Sequence, residues 1–383
     1  MTSWVPPIIL VAIVGVLLFL ARRPASQPMF RWLPLPLWCY ALPMILRQLG
    51  WLPAPHPSYA WIIGTLLPVV LALLLLGMDW RAVARVGPKA AGVMAIGAAG
   101  IVVGGPVMFA VFRPWLPPQA WTGIGALAAT WTGGSLNMIA TRSVLGVPDD
   151  LFASLIVVDA LIAYSWMAVL VALRAVAPRL DRWLQANTTT PMRPAASGDA
   201  AFPHSRMAVA LSVGLACALA WMCRAIGLSL PTFTLIASAS GWAVLLVTTC
   251  SLGLAAVPAL RSMATHGNDL GYAGLYLILS ALGAQANLAA LAAAPLWVLI
   301  GIGSVAIHAV FLLLAGRWLR VPCGLLATAS QANVGGVVSA PLVAAVYDPR
   351  LAPVRLLLAV AGNAVGTYLG VMSATICRLM LGR

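Results

Sequence analysis

The sequence predicts an all-α polytopic membrane protein: two inverted repeats of about five transmembrane helices, each with a broken or re-entrant hairpin. Three observations carry that prediction. The first is composition, since 62% of the 383 residues are apolar and only 8% are charged, with a mean hydropathy of +0.99. A soluble domain carries about three times that charged fraction, and a disordered chain needs low hydrophobicity with high charge density. The second is a pair of apolar segments interrupted by glycines and polar amides, WTGGSLN at 131–137 and SQANVGG at 330–336. The third is the placement of the 22 Lys and Arg residues along the chain, which gives the two halves opposite directions across a bilayer.

A helix needs roughly 20 apolar residues to cross a hydrocarbon core of ~30 Å. Ten segments fit, at 5–21, 32–50, 59–77, 90–112 and 150–177, then 206–226, 234–257, 270–291, 294–316 and 351–377. The first has no basic residue before it and Arg22 and Arg23 after it, without a small-residue cleavage site, so it reads as a span and not as a leader. The interrupted segments at 119–145 and 321–346 are the broken elements. A polar stretch at 178–205 divides the chain, giving an N-terminal repeat at 1–177, a cytoplasmic linker, and a C-terminal repeat at 206–383. Six scattered cysteines, without a C-x-x-C pair, read as small core side chains.

Charge tests whether the broken segments cross or turn back. With both as hairpins and both chain termini outside, 16 of the positive residues face the cytoplasm and six lie outside, namely Arg47, Arg113, Arg142, Arg224, Arg378 and Arg383. With both segments crossing, the asymmetry vanishes, so the rule that short positive loops stay cytoplasmic favours hairpins. The formal charge of +14 is thereby orientation signal and not a nucleic-acid footprint. The expected location is a bacterial inner membrane. The expected partners are the bilayer, a small-molecule or ion substrate and a second copy in a homodimer, with no nucleic acid.

Backbone that stops being helical in hydrocarbon must be satisfied by protein or water. The tips therefore line a packed or wet interior, with Gly133, Gly134, Gly335 and Gly336 permitting the turns and Ser135, Asn137, Ser330, Gln331 and Asn333 supplying polar atoms. Small-residue packing with amides bonded across helices is the structural alternative. From Gly134 to Asp159 is 25 residues, and from Gly336 to Asn363 is 27, which pairs Asp159 with Asn363 across the repeat. Asp159 is the one carboxylate well inside an expected span, a costly placement that makes it the candidate coupling residue for H⁺ or Na⁺; a hydrogen-bonded carboxyl fixing the hairpin is the alternative. Thr367 shares a helix face with Asn363. His308 is the one histidine in a span, readable as a proton relay or as a donor to a neighbouring helix. Nucleotide, zinc-protease and hydrolase signatures are absent from the sequence, so no enzyme, cofactor or metal site is expected.

The stretches 130–166, 326–346 and 362–370 resemble the predicted integral membrane proteins grouped as domain of unknown function 819. The matching positions are Gly133, Gly134, Ser135, Asn137, Asp159, His308, Asn333, Gly335, Gly336, Gly366, Thr367, Tyr368 and Gly370. At the second tip the chain has Gln331 where members more often have Asn. The family is similar to the clan of cation/proton antiporters and organic-anion symporters, which implies inverted repeats and elevator-like exchange. The expected function is an ion-coupled secondary transporter, symporter or antiporter, of a small solute held between the tips. The alternatives are an ion or solute channel, or a non-transporting membrane scaffold or assembly protein.

Overall fold

A computed structural model describes residues 4–26, 29–30, 35–80, 87–186, 206–286, 294–335, 343, 346–347 and 352–382. The protein is all-helical, and fifteen α-helices lie among the described residues. They are α1 (Val5–Ala21), α2 (Leu35–Gln48), α3 (Pro57–Leu75), α4 (Pro88–Phe112), α5 (Ala120–Gly133), α6 (Ser135–Leu145), α7 (Asp149–Leu173), α8 (Ala177–Leu184), α9 (Arg206–Leu228), α10 (Ala239–Leu254), α11 (Pro258–Ala264), α12 (Asn268–Gln285), α13 (Ala294–Leu319), α14 (Cys323–Val334) and α15 (Ala352–Leu379).

Six helices among the described residues are long and apolar enough to cross a membrane, in α3, α4, α7 with its extension into α8, α9, α13 and α15. A seventh is formed if α10 and the run Pro258–Gln285, bent by 116° from it, count as one. The ten expected spans are thus more regular than the molecule. α1 is apolar but 17 residues long, and α2 has 14 residues with Pro43 inside it. α10 starts late because residues 229–238 run through a turn until Ser238 accepts a hydrogen bond from Gly241 N at 3.1 Å, and Pro258 opens a new helix where α10 has ended. The linker expected at 178–205 begins as helix. In α8, Leu184 is buried, and Asp181 accepts from Cys323 N at 2.6 Å, capping the start of α14. Residues 187–205 lie outside the described residues.

The helices pack as two groups. α2 and α3 run along α12, with α9 and α10 against α3 and α1 against α2 and α12. In the other group α4 lies along α13, and α5 along α15, with α6, α7 and α14 packed around them. Close approach of backbones explains both long pairs. A methyl group on Gly100 would lie 2.9 Å from His308 Cα, and one on Gly104 would lie 2.8 Å from Ser304 O, so α4 meets α13 along its glycine face. Gly125, Ala129 and Gly133 on α5 face Gly370, Gly366 and Gly362 on α15 at four-residue spacing, in antiparallel order. Small residues at this period are how helices approach closely where hydrophobic force between them is weak.

Candidate functional site

The site begins with Gly134. Its φ of 84° lies where a side chain is strained and glycine is at ease, so the chain leaves α5 and enters α6 through this single residue. Its N–H still closes α5 by donating to Thr130 O at 2.6 Å. The two helices then fold back on one another, because a methyl on Gly125 would lie 2.8 Å from Leu145 Cδ1. The described ends of the second broken segment also lie together. A methyl on Gly324 would meet the Tyr347 side chain at 3.1 Å, and Cys323 Sγ lies 3.9 Å from Tyr347 Oη. Gly336 and the rest of that tip lie outside the described residues.

α7 shows how the hairpins are placed. The first runs along its N-terminal half: Gly123 packs on Leu151 and Leu155, and Thr130 Oγ1 donates to Asp159 Oδ2 at 3.2 Å. The second runs along its C-terminal half, where Tyr347 Oη donates to Leu170 O at 2.7 Å, Trp166 Nε1 to Ser330 Oγ at 2.8 Å, and Gln331 Nε2 to Ala163 O at 3.5 Å. The hairpins therefore enter from opposite ends of α7 and meet near its middle, at residues 159–163.

A cavity of about 440 Å³ lies at that meeting point. One wall belongs to the hairpin group, with Thr130, Gly134, Ser135, Asp159, Tyr164, Val334, Gly335 and Asn363. The other belongs to α2, α3 and α12, with Leu37, Leu74, Met78, Asn268, Tyr272 and Tyr276. Of the residues expected at the site, the cavity thus gathers Gly134, Ser135, Asp159, Gly335 and Asn363. A methyl on Gly134 would lie 3.5 Å from Asn363 Oδ1, so the residue paired with Asp159 in sequence sits across the first tip from it. Asp79 is also in the wall, but Arg261 Nη1 pairs with it at 2.8 Å.

The other expected residues lie behind the wall as ties. Asn137 donates to Gly133 O at 2.7 Å and accepts from Thr367 N at 3.0 Å and Thr367 Oγ1 at 2.7 Å, fastening the first tip to α15. Asn333 Nδ2 donates to Met94 O at 3.1 Å, fastening the second tip to α4. His308 is fully buried, with Nδ1 2.7 Å from Gly97 O and Nε2 2.9 Å from Ser330 Oγ. A carbonyl can only accept, so Nδ1 carries a proton and the ring clips α13 to α4 and α14. The sequence reading missed Thr130 and the three tyrosines. Asn268, Tyr272, Leu275, Tyr276 and Leu279 fall at helical spacing on one face of α12, a stripe that is visible in the sequence once a cavity is known to lie beside it.

The cavity reaches towards the end of the bundle that holds the Asp79–Arg261 pair. At the opposite end the two groups close on each other. There Ala237 N donates to Val144 O at 2.9 Å, and a methyl on Gly241 would lie 3.0 Å from Val144 Cα. Arginines mark that closed end. Arg113 Nη1 donates to Met380 O at 3.1 Å, Arg378 lies over Trp121, Arg142 pairs with Asp149, Arg142 and Arg224 line one cavity with Gln285, and Arg47 donates to the Gln285 carbonyl. These are five of the six positions assigned to the outside from sequence.

Comparison with known proteins adds a relative of the same character. The chain is 23% identical over 352 residues to the uncharacterized membrane protein YjcL of Bacillus subtilis (strain 168), covering 85% of this chain and 86% of that one. With hairpins, polar ties and closing helix all inside residues 8–380, the span over which the family model matches, the chain belongs to the family described as protein of unknown function (DUF819).

Proposed function

We propose that the protein is an ion-coupled secondary transporter of a small solute, with no catalytic activity of its own. The observation that carries this reading is the cavity where two oppositely entering hairpins meet, with Asp159 in its wall and Asn363 across the first tip. Inverted repeats whose broken elements meet near the midplane form substrate sites in many secondary transporters, and an ionisable residue at that depth is a functional candidate by default. On this reading each half of the chain is one repeat, Asp159 takes up H⁺ or Na⁺, and the hairpin group moves against the group of α1–α3 and α9–α12. The end holding the Asp79–Arg261 pair faces the cytoplasm of a bacterial inner membrane, because the larger share of positive residues is assigned there, and both chain termini lie outside.

The test is a substrate-library uptake screen on the full chain in liposomes, run with imposed Na⁺ and pH gradients. The expected result is concentrative uptake driven by one gradient in wild type, lost in Asp159→Asn while uphill exchange ceases. Flux that never exceeds equilibrium would identify a channel. Absence of flux for every solute and gradient would leave a scaffold and overturn the proposal.

A further inference from the structure

The chemistry of the cavity narrows the solute, on the reading that this cavity is the transport site. Its wall is mostly hydrocarbon, from leucines of α3 and α12, Met78, Met138, Ile156 and Phe152. No Lys, Arg or His lines it among the described residues. Of its two carboxylates, Asp79 is neutralised by Arg261, whereas Asp159 has only uncharged neighbours, Thr130 and Trp131 among them, and no ion-pair partner among the described residues. A charged group there, surrounded by apolar side chains, is expensive until a cation joins it.

Besides the proton of the proposed coupling, two kinds of cation could serve. A bare metal ion needs several oxygen ligands gathered close about it, whereas the further oxygen-bearing side chains here, Ser135, Asn268, Asn363 and the tyrosines, are shared between two facing walls of the cavity. The volume of about 440 Å³ is in the range of sites for small organic molecules. Three aromatic rings line the same cavity, Tyr164 in the wall that holds Asp159 and Tyr272 and Tyr276 in the facing wall, and ring faces attract cations, most of all those stripped of water. The N-terminus of α6 at Ser135 contributes an opposing partial charge of about +0.5, smaller than the full charge of Asp159.

We infer that the cavity is built for an organic cation with an apolar body, an amine or ammonium compound, with Asp159 as its counter-charge and the tyrosines around its charged end. Anionic solutes are disfavoured, since no basic group among the described residues of the wall would receive them.

Binding to the purified full chain at neutral pH tests this with three probes on one scaffold: 3-phenylpropylamine, 3-phenylpropan-1-ol and 3-phenylpropionate. The amine binds saturably and at least about tenfold more tightly than the other two. Asp159→Asn removes that preference, Asp159→Glu keeps much of it, and Tyr276→Leu weakens the amine alone by about threefold, within the range of an exposed cation–π contact. Unchanged thermal unfolding of the variants shows that the losses are local. Equal or tighter binding of the alcohol or the carboxylate, an amine preference that survives Asp159→Asn, or no saturable binding of any probe would overturn the inference. Gradient-driven, Asp159-dependent uptake of some other solute would then leave the transporter reading standing. Amine binding without any driven flux would instead sink the transporter reading and keep the site.

Discussion

Asn137 donates to the carbonyl that ends α5 and accepts twice from Thr367, so one amide satisfies three groups at a place where helical bonding stops. Asn137→Ala leaves those buried groups unpaired. We expect a loss of about 1–3 kcal/mol, read as earlier thermal unfolding in detergent, whereas Asn363→Ala, which only opens the cavity wall, changes stability much less. If the two variants unfold alike, the distinction drawn between tie and lining is wrong. This distinction is where sequence reading of the site was weakest. Glycines and amides at 131–137 and 330–336 announce a break in a helix, because few other residue types tolerate one in hydrocarbon. They do not say which polar atom turns towards its neighbours and which towards the cavity. Ser135 and Asn137 are two residues apart in one helix and so point in different directions, and only packing decides that Ser135 faces the cavity. Asp159 was legible because a lone carboxylate in an apolar helix has no other reading of equal weight.

At the scale of elements, hairpins and their supports are legible in unequal degree. Interrupting glycines and the charge count together lead to an expected hairpin at each broken segment, and Leu145 packs on Gly125 in the first while Tyr347 packs on Gly324 at the described ends of the second. The four-residue glycine spacing of α15, at Gly362, Gly366 and Gly370, is written in the sequence, but its partner face on α5 includes Ala129 and is hidden in a run of small residues. Shorter helices were harder to read, since hydropathy cannot distinguish an apolar turn before α10 from its first turn. A sharper test lies where α2 crosses α12: a methyl on Gly283 would fall 2.0 Å from Tyr40 O and 2.9 Å from Tyr40 C. Backbone cannot yield as a side-chain tip does, so Gly283→Ala forces the two helices apart and costs at least the 1–3 kcal/mol typical of overpacking. The expected outcome is a marked drop in thermal stability and yield of folded protein, while Gly253→Ala, with open space around it, is near neutral. Equal behaviour of the two variants would contradict the described α2–α12 crossing.

For the whole molecule, the positive residues and the two hairpins predict one orientation. Gln119, beside the arginine-marked closed end, and Arg179 on α8 are both exposed, and they lie at opposite ends of α7. In a cysteine-free background of intact cells, Gln119→Cys reacts with a membrane-impermeant maleimide and Arg179→Cys reacts only after the cells are opened; the reverse pattern would invert the molecule. The central claim is that the meeting point of the hairpins is exposed to each side of the membrane in turn. Ser135→Cys tests it most directly, because Ser135 lines a cavity that is closed towards the Arg142 end. Labelling by the impermeant maleimide is measured in right-side-out and inverted vesicles, with and without a cysteine cross-link joining α6 to α10. The account predicts reaction from both sides in the free protein and from the cytoplasmic side alone once the closed end is locked. Reaction from one side only in the free protein, or from both sides after locking, would contradict it.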